Sequence, residues 1–215
     1  ITSAILDAQK YADRVILVND GSTDQTEEKA KATGAIVLNH ITNRGYSLGV
    51  ALRTGLQAAL KLGADINDTF DADGQHRGSD IPRLIAPIQA GLADVVVGSR
   101  FLNQMGGIAR QKSALHRRLG GLIANLLTMI LYGRYVTDSQ SGLRAFSRNA
   151  ALKLRLKSQQ MEISSEIIGE VIHNNLRFRE IPIQPIYTEY ALSKGQNLRL
   201  GIKTAWRLIL RRLMR

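Results

Sequence analysis

The chain has 215 residues and no cysteine, and its 29 lysines and arginines against 18 aspartates and glutamates give a formal net charge of +11. This length suits one sizeable α/β core, and the lack of cysteine excludes disulfides, thiolate metal sites and a cysteine nucleophile. The positive charge predicts an anionic partner such as phosphate, nucleic acid or acidic lipid.

Short β-branched runs alternate with helical patterns along the first half of the chain. Buried strands are predicted at Arg14–Asn19, Ala35–Asn39, Ala64–Asp71 and Asp94–Gly98. Helices are predicted near Thr26–Thr33, Tyr46–Leu62 and Asp80–Ala90. This order favours right-handed crossovers around a mostly parallel sheet, an open α/β fold whose ligands bind at the carboxyl ends of the strands.

The second half changes character. A basic and then apolar helix is predicted at Ser113–Leu131, followed by a polar loop at 137–142, a helix from about Ser164 and an extended segment at Glu180–Thr188. The longest apolar stretch, Leu119–Leu131, is too short to cross a bilayer, which takes about 20 residues. Because the chain opens at Ile1 within a helical pattern, we expect further residues and a first strand to precede it.

The turn after the third predicted strand carries the most specific signal. It reads Asp71-Ala72-Asp73-Gly74-Gln75-His76. The oxygens of Asp71, Asp73 and Gln75 are ligands suited to Mg²⁺ or Mn²⁺, and a cation there would stabilise charge on a departing diphosphate. The alternative is an acidic turn that caps the next helix, since Asp and Gly favour turns. An isolated pair of aspartates would favour that alternative, so the context decides.

A second polar turn, Asn19–Asp24, ends the first predicted strand and would open on the same edge of the sheet. Asp20 is expected to accept hydrogen bonds from a base or ribose, and Gly21 to permit a close approach of ligand to backbone. Helix capping by Ser22, Thr23 or Asp24 is the structural alternative, and it leaves Asp20 unexplained.

Five motifs follow one another in a recognisable order. They are Val18–Asp24, Asn43–Gly45, Asp71–His76, Gly98–Phe101 and Asp138–Arg144. This succession resembles family-2 glycosyltransferases of GT-A fold, and within them the polyprenyl-phosphate (dolichyl-phosphate) mannosyl- and glucosyltransferases. The resemblance covers nearly the whole chain. It implies inverting transfer of a hexose, mannose or glucose, from a nucleotide diphosphate sugar of the GDP-mannose or UDP-glucose type, with Mg²⁺ or Mn²⁺ as cofactor.

The resemblance also implies roles for individual residues. The metal ligands would be Asp71, Asp73 and Gln75. The donor nucleotide would contact Asp20, Gly21, Asp71 and Lys194. The catalytic residues would be Asp73, Arg100 and Arg117, the two arginines holding the acceptor phosphate. The rest of the pocket would include Arg44, Asp138, Ser141 and Glu162, with Glu166 in the same acidic stretch.

The sequence departs from the family pattern at several places, among them Asn19 where the usual motif has a first aspartate. The opening strand with its nucleotide-binding motif is absent, and the strand before the metal motif holds Asn67 and Asp68 where relatives are usually apolar. His76 and His116 are expected not to bind the metal directly, because histidines at the surface or behind the metal ligands are commoner than histidine ligands.

A phosphate acceptor changes what the chemistry requires. Its second pKa is about 6, so the attacking oxygen is already an anion and no general base is needed. A sugar hydroxyl as acceptor would instead require a carboxylate base, for which Asp138 and Glu162 are candidates. Their structural alternatives are a turn former at Asp138 and a solvated helix start at Glu162.

Two segments favour contact with a membrane surface. Five basic side chains between Arg110 and Arg118 precede the apolar run, and the segment 197–215 has the pattern of a basic amphipathic helix with Trp206 on its apolar side. Packing of that apolar stripe on the core is the alternative. We therefore expect a catalytic domain at 1–196 and a membrane-associating helix at 197–215, on the cytoplasmic side of the cell membrane or an endomembrane.

Two other functions compete with lipid-phosphate transfer. A glycosyltransferase of the same fold that acts on a saccharide or glycolipid hydroxyl comes second. A non-catalytic nucleic-acid-binding protein would fit the charge, but the sequence has no recognisable nucleic-acid module and only 5% aromatic residues. We expect no nucleic-acid partner.

Overall fold

The computed structural model describes residues 1–40, 48–102, 115–184 and 186, with residues 115–120 described by their backbone alone. The helices are α1 (Thr2–Gln9), α2 (Thr26–Lys31), α3 (Leu48–Lys61), α4 (Ile81–Gln89), α5 (Leu115–Tyr132), α6 (Arg148–Lys153) and α7 (Ile163–His173), with a short 3₁₀ turn at Gly78–Asp80. The strands are β1 (Ile16–Asn19), β2 (Ile36–Asn39), β3 (Ile66–Thr69), β4 (Val95–Ser99), β5 (Arg144–Ser147) and β6 (Phe178–Pro182).

The strands form two hydrogen-bonded sheets within one α/β fold. Strands β1 and β2 pair in parallel, and the other four lie in the order β3-β5-β4-β6. Strand β5 runs antiparallel to both β3 and β4, while β4 and β6 are parallel. Because β3 and β4 are both antiparallel to β5, they point the same way, and their carboxyl ends meet at one edge of the sheet.

The predicted fold class is confirmed, with differences in detail. All four predicted strands are present. Three are shorter than predicted, and β4 has the predicted length but begins and ends one residue later. Strand β5 was not predicted, because its four residues, Arg-Ala-Phe-Ser, contain no β-branched side chain. The extended segment predicted at Glu180–Thr188 begins earlier, as β6 at Phe178.

Apolar side chains cover both faces of the four-stranded sheet. Val95 packs with Phe146 and Ile167 on one face, whereas Val96 packs with Leu84 and Leu143 on the other. Neighbouring residues of a strand point to opposite faces, so a strand covered on both sides reads as the continuous apolar run seen in the sequence. Full burial of each such side chain contributes about 1.5–3 kcal/mol to stability.

Helix α5 packs on α7 and leaves an apolar face in solvent. Thr128 Oγ1 and Ser165 Oγ form a hydrogen bond of 2.9 Å, and the Tyr132 ring lies directly against Gly169. The opposite face carries Leu122, Ile123, Leu126 and Ile130, which are 51–66% exposed. Within the described residues, no helix combines the length and the apolar character needed to cross a membrane. The predicted helix at 197–215 lies outside the described residues.

Candidate active site

The predicted metal-binding turn follows β3, at the carboxyl edge of the sheet. Asp71 lies so close to Gly142 that any side chain at position 142 would overlap its carboxylate. His76 Nε2 stands 3.4 Å from Asp71 Oδ2, and the buried His76 ring meets Phe70 edge-on at 5.8 Å between centroids. His76 is therefore placed behind Asp71, as a neighbour that orients the carboxylate.

The charges around Asp71 favour its ionised form. Partial desolvation by the surrounding protein would by itself raise the pKa of Asp71. The hydrogen bond with His76 and the electrostatic influence of His76, Arg144 and Arg100 outweigh that effect and hold the pKa below its usual value. The carboxylate is thus ionised at neutral pH before any cation binds.

Asp73 shapes the same turn and remains exposed. Its Oδ1 accepts from the Gln75 backbone N–H at 3.0 Å, and Gly74 adopts a φ of 80°, which favours glycine. The described residues contain no cluster of three or more His, Asp or Glu side chains suited to a metal. The side-chain oxygens of Asp71, Asp73 and Gln75, which lie on this one turn, are ligands of the kind that Mg²⁺ takes when water and phosphate oxygens complete its shell.

The turn after β1 holds Asp20 beside a histidine. Asp20 Oδ1 lies 2.7 Å from His40 Nδ1, and His40 Nε2 lies 3.0 Å from Thr54 Oγ1. Asp24 Oδ1 accepts from the Thr26 N–H at 3.0 Å and so helps to begin α2. Asp24 therefore satisfies the first N–H of α2, although the N-cap position itself is Gln25, whereas Asp20 contacts His40.

His40 was not predicted as a site residue. Asn19 pairs with Asn39 in the parallel register of β1 and β2, so the residues that follow them, Asp20 and His40, are neighbours at the strand ends. The position of His40 directly after the second predicted strand was the sequence signal that could have identified it.

A cavity joins the turns after β1 and β3. Its volume of about 740 Å³ lies within the range of ligand sites, roughly 300–1,000 Å³. It is lined by residues 24–26, Lys29 and residues 72–74, with Ile1, Ser3 and Ala4. Asp73 therefore lines this cavity together with the end of the loop after β1, whereas the predicted nucleotide contacts Asp20 and Gly21 are not among its lining residues.

The end of β4 places Arg100 in a forked pair with Asp138. Arg100 Nε and Nη2 donate to the two Asp138 carboxylate oxygens at 2.7 and 2.8 Å, and the Arg100 backbone N–H adds a third bond at 3.0 Å. The Asp138 side chain is 1% exposed and that of Arg100 is 26% exposed. Two parallel charge-assisted bonds fix the guanidinium plane while leaving part of it in solvent.

Arg144 adds a buried positive charge to the same region. It is 3% exposed, and its Nη2 donates to the Ser139 carbonyl at 3.1 Å. Burial lowers the pKa of Arg144 to about 10, against the opposing effect of the Asp71 and Asp138 carboxylates, so the group stays charged near neutrality. Arg144 belongs to a motif that the sequence singled out, but it was given no role there.

Two other predicted pocket residues are buried. Ser141 is fully buried, and its Oγ lies 3.4 Å from the Leu143 N–H, a structural contact. Glu162 is 4% exposed at the start of α7, and its Oε2 has no hydrogen-bond partner among the described residues. The alternative of a solvated helix start at Glu162 is therefore wrong.

Three predicted site residues cannot be placed from side-chain positions. Arg44 and Lys194 lie outside the described residues. Arg117 lies in the first turn of α5, where only the backbone is described. The described part of the site thus brings together Asp71, Arg100 and Asp138, with Asp73 and the turn after β1 around the adjoining cavity.

Proteins from archaea and bacteria are similar to most of the chain. A protein of Methanocaldococcus jannaschii without an assigned function is 42% identical over 201 residues, covering 93% of this chain and 81% of that protein. The UDP-N-acetylglucosamine–dolichyl-phosphate N-acetylglucosaminyltransferase of Methanococcus voltae is 39% identical, covering 92% and 84%. The polyprenol monophosphomannose synthase of Mycolicibacterium smegmatis is 29% identical, covering 86% and 72%.

Solved structures share the fold. Glucosyl-3-phosphoglycerate synthase from Mycobacterium tuberculosis, in complex with Mn²⁺, UDP and phosphoglyceric acid, matches with a TM-score of 0.71 at 20% identity, covering 98% of this chain and 73% of that one. This likeness supports the GT-A fold. The profile of glycosyl transferase family 2 matches residues 1–155. The chain therefore belongs to glycosyltransferase family 2.

Proposed function

We propose that the protein transfers a sugar, with inversion, from a nucleotide diphosphate sugar to a polyprenyl phosphate at a membrane surface. The observation that carries the proposal is the joint placement of anionic and cationic groups at one edge of the sheet. The carboxylate of Asp71 is influenced electrostatically by Arg100 and Arg144, and Arg100 is aimed by Asp138. Such a site suits a reaction in which two phosphate-bearing substrates must approach each other.

The pairing of Asp138 supports a phosphate acceptor over a hydroxyl acceptor. A hydroxyl needs a carboxylate base within hydrogen-bonding reach of its proton. Asp138 is 1% exposed and both of its oxygens accept from Arg100, so it is poorly placed for that task. A phosphate monoester needs none, because its attacking oxygen is an anion near neutrality. Arg100, with Arg117, would hold that phosphate through forked donors.

The strand-end carboxylates support a divalent cation as cofactor. Asp71 and Asp73, with Gln75, would hold Mg²⁺ or Mn²⁺, which when bound neutralises charge on the departing diphosphate. The ionised state of Asp71 prepares the site for a cation at neutral pH. Mn²⁺ accompanies UDP in the M. tuberculosis synthase of the same fold.

The donor sugar is the least constrained part of the proposal. The motifs suggest mannose or glucose on GDP or UDP, whereas the M. voltae relative is named for UDP-N-acetylglucosamine and the M. smegmatis relative for mannose. Both of these names include a phosphorylated polyprenol-type lipid, dolichyl phosphate in the first and polyprenol monophosphomannose in the second. We therefore propose the acceptor class from them and leave the sugar to a direct assay.

That assay incubates the protein with polyprenyl phosphate, Mg²⁺ or Mn²⁺ and a panel of nucleotide sugars, including GDP-mannose, UDP-glucose and UDP-N-acetylglucosamine, and measures lipid-linked product. We expect transfer to the lipid phosphate and none to hydroxyl acceptors. Asp73→Ala should abolish metal-dependent transfer and leave the circular dichroism spectrum unchanged. Transfer to saccharides alone, or salt-sensitive duplex binding with no transfer, would replace this proposal with one of its competitors.

The exposed face of α5 supports attachment to a membrane. Its apolar side chains follow the basic segment at 110–118, and an apolar face beside positive charge suits an anionic bilayer surface. We expect Leu126→Ser with Ile130→Ser to reduce co-flotation with vesicles of anionic lipid. Leu152→Ser is the matched control, since Leu152 is 64% exposed on a different helix. An equal loss of co-flotation in both variants would contradict a specific role for α5.

A further inference from the structure

Glu180, on β6, binds the loop that carries Asp138. Its carboxylate accepts from the Thr137 backbone N–H at 3.0 Å to Oε1 and 3.1 Å to Oε2. It also accepts from Thr137 Oγ1 at 2.7 Å and from the Asp138 backbone N–H at 3.2 Å. The Glu180 side chain therefore fixes the backbone of Thr137 and Asp138, and Asp138 in turn orients Arg100.

The same carboxylate sets the direction of a hydrogen-bond chain that reaches the other side of Arg100. Thr137 has a single hydroxyl proton and donates it to Glu180. In the 2.6 Å hydrogen bond between Ser99 Oγ and Thr137 Oγ1, Ser99 must then be the donor. Ser99 Oγ in turn accepts from the backbone N–H groups of Phe101 and Leu102, both at 3.2 Å.

These two sets of bonds enclose Arg100. The chain through Ser99 orders the backbone from residue 99 to 102, and the direct bonds order residues 137 and 138. Arg100 lies between them, bonded to Asp138 through both its backbone and its side chain. Hydrogen bonds in such a chain polarise one another, so the negative charge at its end strengthens every member.

We propose that Glu180 is a positioning residue for the acceptor phosphate, acting through Asp138 and Arg100. This inference rests on the proposed function, in which Arg100 contacts that phosphate. Removing the charge of Glu180 should loosen the loop and misalign the Arg100 fork. The donor site at the turns after β1 and β3 should be little affected, because Glu180 bonds to neither turn in the contacts described above.

The test is Glu180→Gln in the full chain, assayed for initial rates with polyprenyl phosphate and nucleotide sugar varied in turn. Because hydrogen bonds to a charged group are the stronger ones, we expect the KM for polyprenyl phosphate to rise about tenfold. The KM for the donor should stay within about twofold. Glu170→Gln is the matched control, since the buried Glu170 carboxylate also accepts a backbone N–H, from Arg155 at 3.0 Å. That control should leave both constants unchanged.

A double-mutant cycle with Arg100→Lys separates this inference from the proposed function. If Glu180 acts through Arg100, Glu180→Gln should add less than about twofold to the acceptor KM once Arg100 is lysine. Independent, multiplying effects would overturn the inference. An unchanged acceptor KM in Arg100→Lys would overturn the phosphate-binding role of Arg100 and this inference with it. A raised KM in Arg100→Lys with none in Glu180→Gln would overturn the inference alone.

A second variant keeps the test decisive if Glu180→Gln does not fold. Thr137→Val removes the hydroxyl that links Ser99 to Glu180 and keeps the carboxylate with its backbone bonds. We expect a smaller rise in acceptor KM, in the same direction, with unchanged donor KM. An acceptor KM equal to that of the unmodified protein would overturn the link through Thr137.

Discussion

Asp68 offers a test of the electrostatics of the sheet. It lies on β3, on the face that Ile66 shares with the core beneath α4, and its Oδ1 has no hydrogen-bond partner among the described residues. Burial disfavours the charged form and raises the pKa of Asp68 from 3.8 to about 7. Asp68→Asn keeps the shape of the side chain and removes its ability to ionise.

The sign and size of the effect follow from that pKa. Between about pH 4 and pH 7 the folded state binds more protons than the unfolded state, so stability falls as the pH rises through this window. A difference of about three pKa units corresponds to an upper limit of ~4 kcal/mol, at 1.36 kcal/mol for each unit. Because Asp68 is only partly buried in the folded chain, we expect about half of that limit, roughly 2 kcal/mol.

The measurement is thermal or urea unfolding of the unmodified protein and of Asp68→Asn at pH 4.5 and pH 8. Relative to the unmodified protein, the free energy of unfolding of the variant should be raised by about 2 kcal/mol more at pH 8 than at pH 4.5. For a chain of this size that difference is roughly 4–8 °C in Tm. Asp65→Asn, at an exposed position just before the same strand, is the control and should show no such pH dependence. A gain that is equal at both pH values would refute an ionisation penalty at Asp68.

Two glycine contacts yield further predictions. Gly142→Ala should displace the Asp71 carboxylate, because that carboxylate occupies the space of the new methyl group. We expect the transfer rate to fall at least tenfold and the Mn²⁺ concentration needed for half-maximal activity to rise. An unchanged Mn²⁺ dependence would show that Asp71 is no metal ligand. Gly169→Ala should drive a methyl group into the Tyr132 ring and cost about 1–3 kcal/mol in urea unfolding, since overpacking strains a tight helix contact. Gly55→Ala is the control for both, because its methyl group would meet Val18 at an ordinary 3.5 Å.

The sequence was sufficient to predict strands and turns that are specified by neighbouring residues. The β-branched runs before Asn19 and Asp71 predicted strands, and the polar turns that follow those strands lie at the expected edge. Turn chemistry also placed Asp24 among three candidates for capping α2, and Asp24 accepts from the first helical N–H, that of Thr26. Such features depend on neighbouring residues, so the order of side chains along the chain is enough to find them.

Features that depend on pairing between distant residues could not be predicted from sequence patterns. The Arg100–Asp138 fork joins residues 38 positions apart, and no local pattern predicts it. Strand β5 lacks a β-branched signal and is held in place by its two neighbours. Glu162 has the polarity of a surface residue, but the packing of α7 buries it.

The insertion of β5 between β3 and β4 has a geometric consequence. Neighbouring strands lie about 4.8 Å apart, so the two strands that deliver Asp71 and Arg100 are held about 10 Å from each other. Main-chain ladders set this distance, and they resist stretching far better than flexible loops do. The sheet thus fixes the spacing of these two strands, and in the proposed reaction it would set the distance between the leaving diphosphate and the incoming phosphate before either substrate binds.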